Sequence, residues 1–154
     1  MVTLTVKIDG LEKLTAAIRK EPIMAKIKMN EAVRRSVGEI QNTAIKEAPV
    51  NKQTGGGNLR QNIRSRMTGE LSGVIESRAG YSLFVHEGTA PHLIRPVNAR
   101  ALANVRTGQF FGKLVHHPGT KPNPFFRRAI QRSKVAVEKI WNDAIGAILK
   151  TMAQ

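Results

Sequence analysis

The side chains in this 154-residue chain best equipped for chemistry are its four histidines. They fall close together as His86-Glu87, His92 and His116-His117. Imidazole with carboxylate is a workable ligand set for a transition metal if the intervening segment folds back on itself. Two features argue against it. No pair has the i, i+4 spacing that puts two histidines on one helix face, and there is no cysteine to assist. Adjacent histidines on a strand also point to opposite faces, so at most one of His116 and His117 can face a common centre. The histidines therefore read as corner-packing or surface residues, and no metal or other cofactor is expected.

Other catalytic arrangements fare no better. A ββα-metal nuclease site would use such histidines with a later Asn123, but it needs a further metal-binding His on the following helix. None occurs after residue 117. Gly55-Gly56-Gly57 is no phosphate cradle, because the Lys-Ser/Thr of a P-loop does not follow and the glycines precede a predicted strand. The eleven scattered acids offer no persuasive Ser/His/Asp or paired-carboxylate set. Nothing here calls for an enzyme.

Charge is the stronger signal. The formal net charge is +14, and from Gly88 to Val137 there are nine Lys and Arg but no Asp or Glu. Like charges repel, so so one-sided a segment points to a surface that meets something anionic. The candidate contacts are Arg95, Arg100, Arg106, Lys113, Lys121, Arg127 and Arg128. Three readings stand side by side: a merely solvated face, contact with nucleic acid, and a charged subunit interface that uses acids such as Glu31, Glu39 or Glu47 of the next subunit. Aromatic interleaving is thin, and no helix-turn-helix, RNP or zinc-finger signature occurs, so any nucleic-acid contact would be to the phosphate backbone and indifferent to sequence. Two similar corners bracket the segment: His86-Glu87-Gly88-Thr89 and His117-Pro118-Gly119-Thr120. Gly88 and Gly119 can adopt φ > 0, and Pro118 and Pro124 stiffen the chain beside them. Phe125 and Phe126 are placed to seat the last helix.

The elements that must position these residues follow from periodicity. Val2, Leu4, Val6 and Ile8 alternate with polar residues as a half-buried strand. Asp9 and Glu12 open a short helix in the manner of a capping box, with Leu11, Leu14 and Ile18 on its apolar face. Pro22 starts a longer helix with a stripe of Ile27, Val33, Val37, Ile40 and Ala44, ended by Pro49. Residues 50–57 have no apolar period and read as a mobile loop. Leu59–Met67 and Ser72–Ser77 predict a strand pair with Ile63, Val74 and Ile75 inward, and Tyr81–His86 is ambiguous between strand and helical turn. His92–Val97 and Gln109–His116 predict the arms of a long hairpin over 90–117. A final helix over 124–152 carries Phe126, Ile130, Val137, Ile140, Ala144 and Ile148 on one stripe. This order predicts a single α+β domain over 1–154, a mainly antiparallel sheet packed by two or three helices, with an extended basic hairpin arm. Aromatic content of 5% makes the core aliphatic, and no run of residues is long and apolar enough for a membrane span.

Five short motifs, in order, resemble those of the small neck and tail-completion proteins of long-tailed bacteriophages. They are Ile8–Leu14 at the strand-to-helix turn, Thr54-Gly55 through Asn58-Leu59-Arg60-Gln61-Asn62-Ile63, Tyr81 through Gly88-Thr89, Pro91–Leu102, and Val115–Ala129 with its Pro118-Gly119-Thr120 and Pro124-Phe125 turns. One departure is that Glu87 stands next to Gly88 instead of one residue earlier. The resemblance implies a structural virion protein, made in the host cytoplasm and built into the neck as a homo-oligomeric ring. A hexamer is preferred over a dodecamer, with adjacent neck and tail proteins as partners. It carries over no catalytic centre, and the DNA backbone is a further possible partner. The rival from another class is a free-standing, sequence-independent nucleic-acid-binding protein. For the loop at 50–57, deleting two glycines should leave the melting temperature nearly unchanged but impair head–tail joining in complementation assays. A large fall in melting temperature would instead make the loop part of the fold.

Overall fold

The computed structural model describes residues 2–6, 23–50, 56–104 and 107–152. The predicted short helix after Asp9, with Leu11, Leu14 and Ile18, lies outside the described residues, as do Pro22 and most of the loop at 50–57. The chain forms β1 (Val2–Val6), α1 (Ile23–Glu47), a helical turn α2 (Asn58–Gln61), β2 (Ile63–Gly69), β3 (Ser72–Ser77), α3 (Ser82–Glu87), β4 (His92–Ile94), β5 (Leu102–Ala103), β6 (Phe110–Gly112), β7 (Val115–His117) and α4 (Phe125–Met152). It is an α+β fold.

The main sheet is antiparallel in the order β1-β3-β2, so β3 is central and Ile75 sits between Leu4 and Ser65 in the register. Because β3 is flanked on both edges and covered by α1, five consecutive residues from Gly73 to Ser77 are buried. Helix α1 lies on β2 and β3 and runs against α4 along its length. The core is aliphatic, as the composition requires. Val33, Val37, Ile40 and Ala44 of α1 meet Leu59, Ile63 and Ile75, and Phe125, Phe126 and Ala129 close it from α4.

Both helical stripes differ in part from the sequence reading. Ile27 is half exposed, and the face continues instead through Met29 and Ala25. Met29 stands four residues before Val33, whereas Ile27 stands six before it and so falls on another face. On α4, Ile130 is 40% exposed while Ala129 and Ser133 are buried, because close approach to α1 selects the small residues. The strand predicted to begin at Leu59 begins at Ile63. Residues 58–61 form a turn of helix instead, closed by the Gln61 amide on the Gly57 carbonyl (2.9 Å) and the Asn62 side chain on the Asn58 carbonyl (2.8 Å). That turn buries Leu59. The ambiguous segment Tyr81–His86 resolves as the helix Ser82–Glu87, with Tyr81 at its N-cap.

Gly73 shows how closely α1 rides on the sheet. A Cβ there would stand 2.7 Å from Cγ2 of Val37, a β-branched side chain with little freedom to move. Gly73→Ala should therefore cost about 1–3 kcal/mol through overpacking. Val37→Ala should cost less in that background than in the parent chain. Simple additivity in a denaturant double-mutant cycle would show that the two side chains do not collide.

Candidate functional site

The two Gly-Thr corners form one structure. The Thr89 amide donates to the Thr120 carbonyl (3.0 Å) and the Thr120 amide to the Thr89 carbonyl (3.1 Å), with the two hydroxyls 3.0 Å apart. Gly88 (φ 76°) and Gly119 (φ 84°) supply the left-handed turns on either side. Space demands glycine as well. A Cβ on Gly88 would come 2.5 Å from the Thr120 oxygen, and one on Gly119 would come closer still to that of Thr89. Each glycine makes room for the other corner's backbone.

This clasp joins α3 to the root of α4. The Asn123 amide donates to the Val85 carbonyl (3.0 Å), and Pro124 leads into the fully buried Phe125, whose ring lies 4.6 Å from Phe126. His86 is buried edge-on to Phe125 with ring centroids 5.5 Å apart. Its Nδ1 is 2.6 Å from Glu87 Oε1 and donates to that carboxylate, while Nε2 is buried with no hydrogen-bond partner. His92 and His117 stand opposite each other in β4 and β7 with stacked rings 4.9 Å apart. His92 Nδ1 donates to the Ala90 carbonyl (2.9 Å), and His117 Nδ1 accepts from the Gly119 amide (3.1 Å). These three histidines pack and brace the corner. Among the described residues no three His, Cys, Asp or Glu side chains gather as a metal ligand set.

A second cluster sits at the C-terminus of α1. Glu47 is nearly buried, and the carboxylate stands at the negative end of the helix dipole, where it is unfavourable unless cations offset it. Arg128 Nε meets Glu47 Oε2 at 2.9 Å, and Arg132 bonds the other carboxylate oxygen. The free carbonyls are covered too. Arg128 donates to the carbonyl of Glu47 (3.2 Å), while Arg60 donates to those of Lys46 (3.1 Å) and Ala48 (2.9 Å). Asn123 Oδ1 holds Arg128 from the other side at 2.6 Å. Arg128 is thus turned into the fold, unlike the other cations considered with it, and Glu47 is engaged within its own chain. Sequence reasoning missed this cluster, although an acid in the last turn of a helix was a sign that cations must lie near it.

The remaining candidates lie on or beside the arm. The predicted hairpin forms, but as two separate ladders: β4 with β7 at the root, β5 with β6 toward the tip. Between the pairs Ile94–Val115 and Leu102–Gly112 lie residues 95–101 on one side and only 113–114 on the other. A continuous ladder is impossible with that mismatch, and it brings Arg95, Arg100 and Lys113 to the same joint. All three are exposed, as are Lys121 at the root and Arg127 in the first turn of α4. Arg106 lies outside the described residues. The arm also exposes Leu93, Phe110, Phe111 and Leu114, with Phe110 76% accessible.

A family model described as "Bacteriophage HK97-gp10, putative tail-component" matches residues 9–88. That is more than half of the chain. The chain belongs to this phage tail-component family. No curated protein and no solved structure matches it. The family assignment makes the chain a structural component of the virion tail. The matched span carries α1, the sheet strands β2 and β3, and α3, and it ends at Gly88, where the arm departs. The arm, the second corner and α4 are therefore read from their own residues. No helix among the described residues is long and apolar enough to cross a membrane.

Glu47→Gln removes the charge while keeping the shape, leaving Arg128 and Arg132 against one another and the helix end. It should lower stability by about 1–3 kcal/mol in urea unfolding. Arg127→Gln, one residue from Arg128 but exposed, should change it by no more than about 0.5 kcal/mol. Equal effects at the two positions would refute the in-chain role of Glu47.

Proposed function

We propose that this tail component is a non-catalytic ring subunit of the phage neck, joining the head to the tail tube, and that its arm lies across the next copy in the ring. The observation that carries this reading is the arm itself. Two ladders of two and three residue pairs cannot bury the large apolar side chains they bear, and Phe110 is three-quarters exposed. Isolated two-stranded hairpins are marginal in water. A neighbouring surface that covers Phe110, Phe111 and Leu114 would both order the arm and remove that apolar area from solvent.

A ring supplies such a surface naturally. In a head-to-tail ring every subunit uses two different patches, one donating and one receiving, so an arm projecting from one place and docking at another closes the circle. The clasp at Thr89 and Thr120 holds the arm at a set departure from the body, as a repeated contact requires. The family's tail-component description supports a place in the virion, and the basic arm suits a position beside passing DNA.

Sixfold symmetry is the expected copy number, with twelvefold second. A reconstruction of the virion should show arms 90–117 crossing onto adjacent copies. Phe110→Ser with Phe111→Ser should leave the melting temperature of the purified chain unchanged and yield unjoined heads and tails. A single copy per particle, or an arm touching no other chain, would defeat the proposal.

A further inference from the structure

We infer that the mid-arm cations Arg95, Arg100 and Lys113 form a binding surface for the phosphate backbone of duplex DNA. The inference rests on the ring reading for why DNA would be near, but not for the chemistry of the surface.

The charge distribution leads to this partner. Among the described residues, Glu31, Glu47, Glu70, Glu76, Glu87 and Glu138 each pair with a Lys, Arg or His of their own chain. The described acids left without such a pair are Glu39 and Asp143, on α1 and α4. Among its described residues a second copy therefore has little unpaired acid to offer, and exchanging one exposed pair for another gains almost nothing. Arg95, Arg100 and Lys113 are exposed, form no ion pair among the described residues, and sit in a segment with no Asp or Glu from Gly88 to Val137.

Protein interfaces deplete charge in their cores, whereas interfaces with nucleic acid are strongly positive. The cations occupy the unpaired joint between the ladders, beside the exposed Val97 and Leu114, while Leu93, Phe110 and Phe111 stand on the ladders. The joint thus offers three exposed cations with no acid in its own segment to offset them. Guanidinium and ammonium groups carried on irregular backbone, not on a helix seated in a groove, meet phosphates without sequence preference.

The test is fluorescence anisotropy of the purified chain with two unrelated 20-base-pair duplexes across a salt series. The parent chain should bind both duplexes alike, with affinity falling steeply as salt rises. Arg95→Gln, Arg100→Gln and Lys113→Gln together should lower the slope of log K against log salt by about 2.7 units, from about 0.9 per phosphate contact. Arg35→Gln, Lys139→Gln and Lys150→Gln remove the same charge away from the arm and should leave the slope nearly unchanged. Both variants should melt within about 2 °C of the parent. Phe110→Ser with Phe111→Ser should lose joining of particles but keep the salt slope, so failure of the ring reading and failure of this one are told apart. No binding by the parent, an equal loss in the control triple, or loss of association between copies with an unchanged slope in the arm triple would overturn the inference.

Discussion

The reciprocal hydrogen bonds between Thr89 and Thr120 decide where the second half of the chain goes. They close the root of the arm, so residues 90–119 leave and return at one point and α4 starts beside the end of α3. From there Asn123 reaches Val85 and Phe125 drops into the core between α1 and the sheet. Burying a side chain of that size is worth about 1.5–3 kcal/mol, which the clasp directs to one site. A Cβ on either glycine would strike the opposite corner's backbone, so the closeness that makes the clasp also forbids any larger residue there.

The helix pair α1 and α4 depends on the second cluster in a related way. The two helices meet along small and aliphatic residues, and such contacts alone allow sliding. Glu47 between Arg128 and Arg132 ties one end of that contact to a fixed register. Arg60, drawn in from the turn before β2, covers two more carbonyls at the same helix end. An acid in an unfavourable place thus becomes the point where three segments meet.

Internal pairing has a consequence for the surface. Acids are few, and the fold engages most of those described in contacts with its own cations. What remains outside is positive, and on the arm, where the extended backbone buries little, no acid stands beside it. Within 90–117 the arm has cations and no acid of its own, which suits a subunit whose arm acts on something outside its own chain.

Much of this was legible in the residues. Alternation in β1, the 3.6-residue stripes of the long helices, proline and glycine at the breaks, and the acid-free basic segment are local patterns, set by backbone sterics and by which side chains avoid water. They determined the α+β class, the hairpin over 90–117, the final helix and the resemblance to phage neck proteins. The sequence by itself could not show that Gly88-Thr89 and Gly119-Thr120 face one another, because residues 31 apart are joined only when the chain returns. Nor could it tell Arg128 from Arg127, which are alike in type and adjacent in position. Their roles part because a helix turns about 100° per residue, aiming Arg128 at Glu47 and Arg127 at solvent. Ile27 and Ile130 miss the core for the same reason: which face of a helix is buried is chosen by the partner it packs against, and only the tertiary structure supplies the partner.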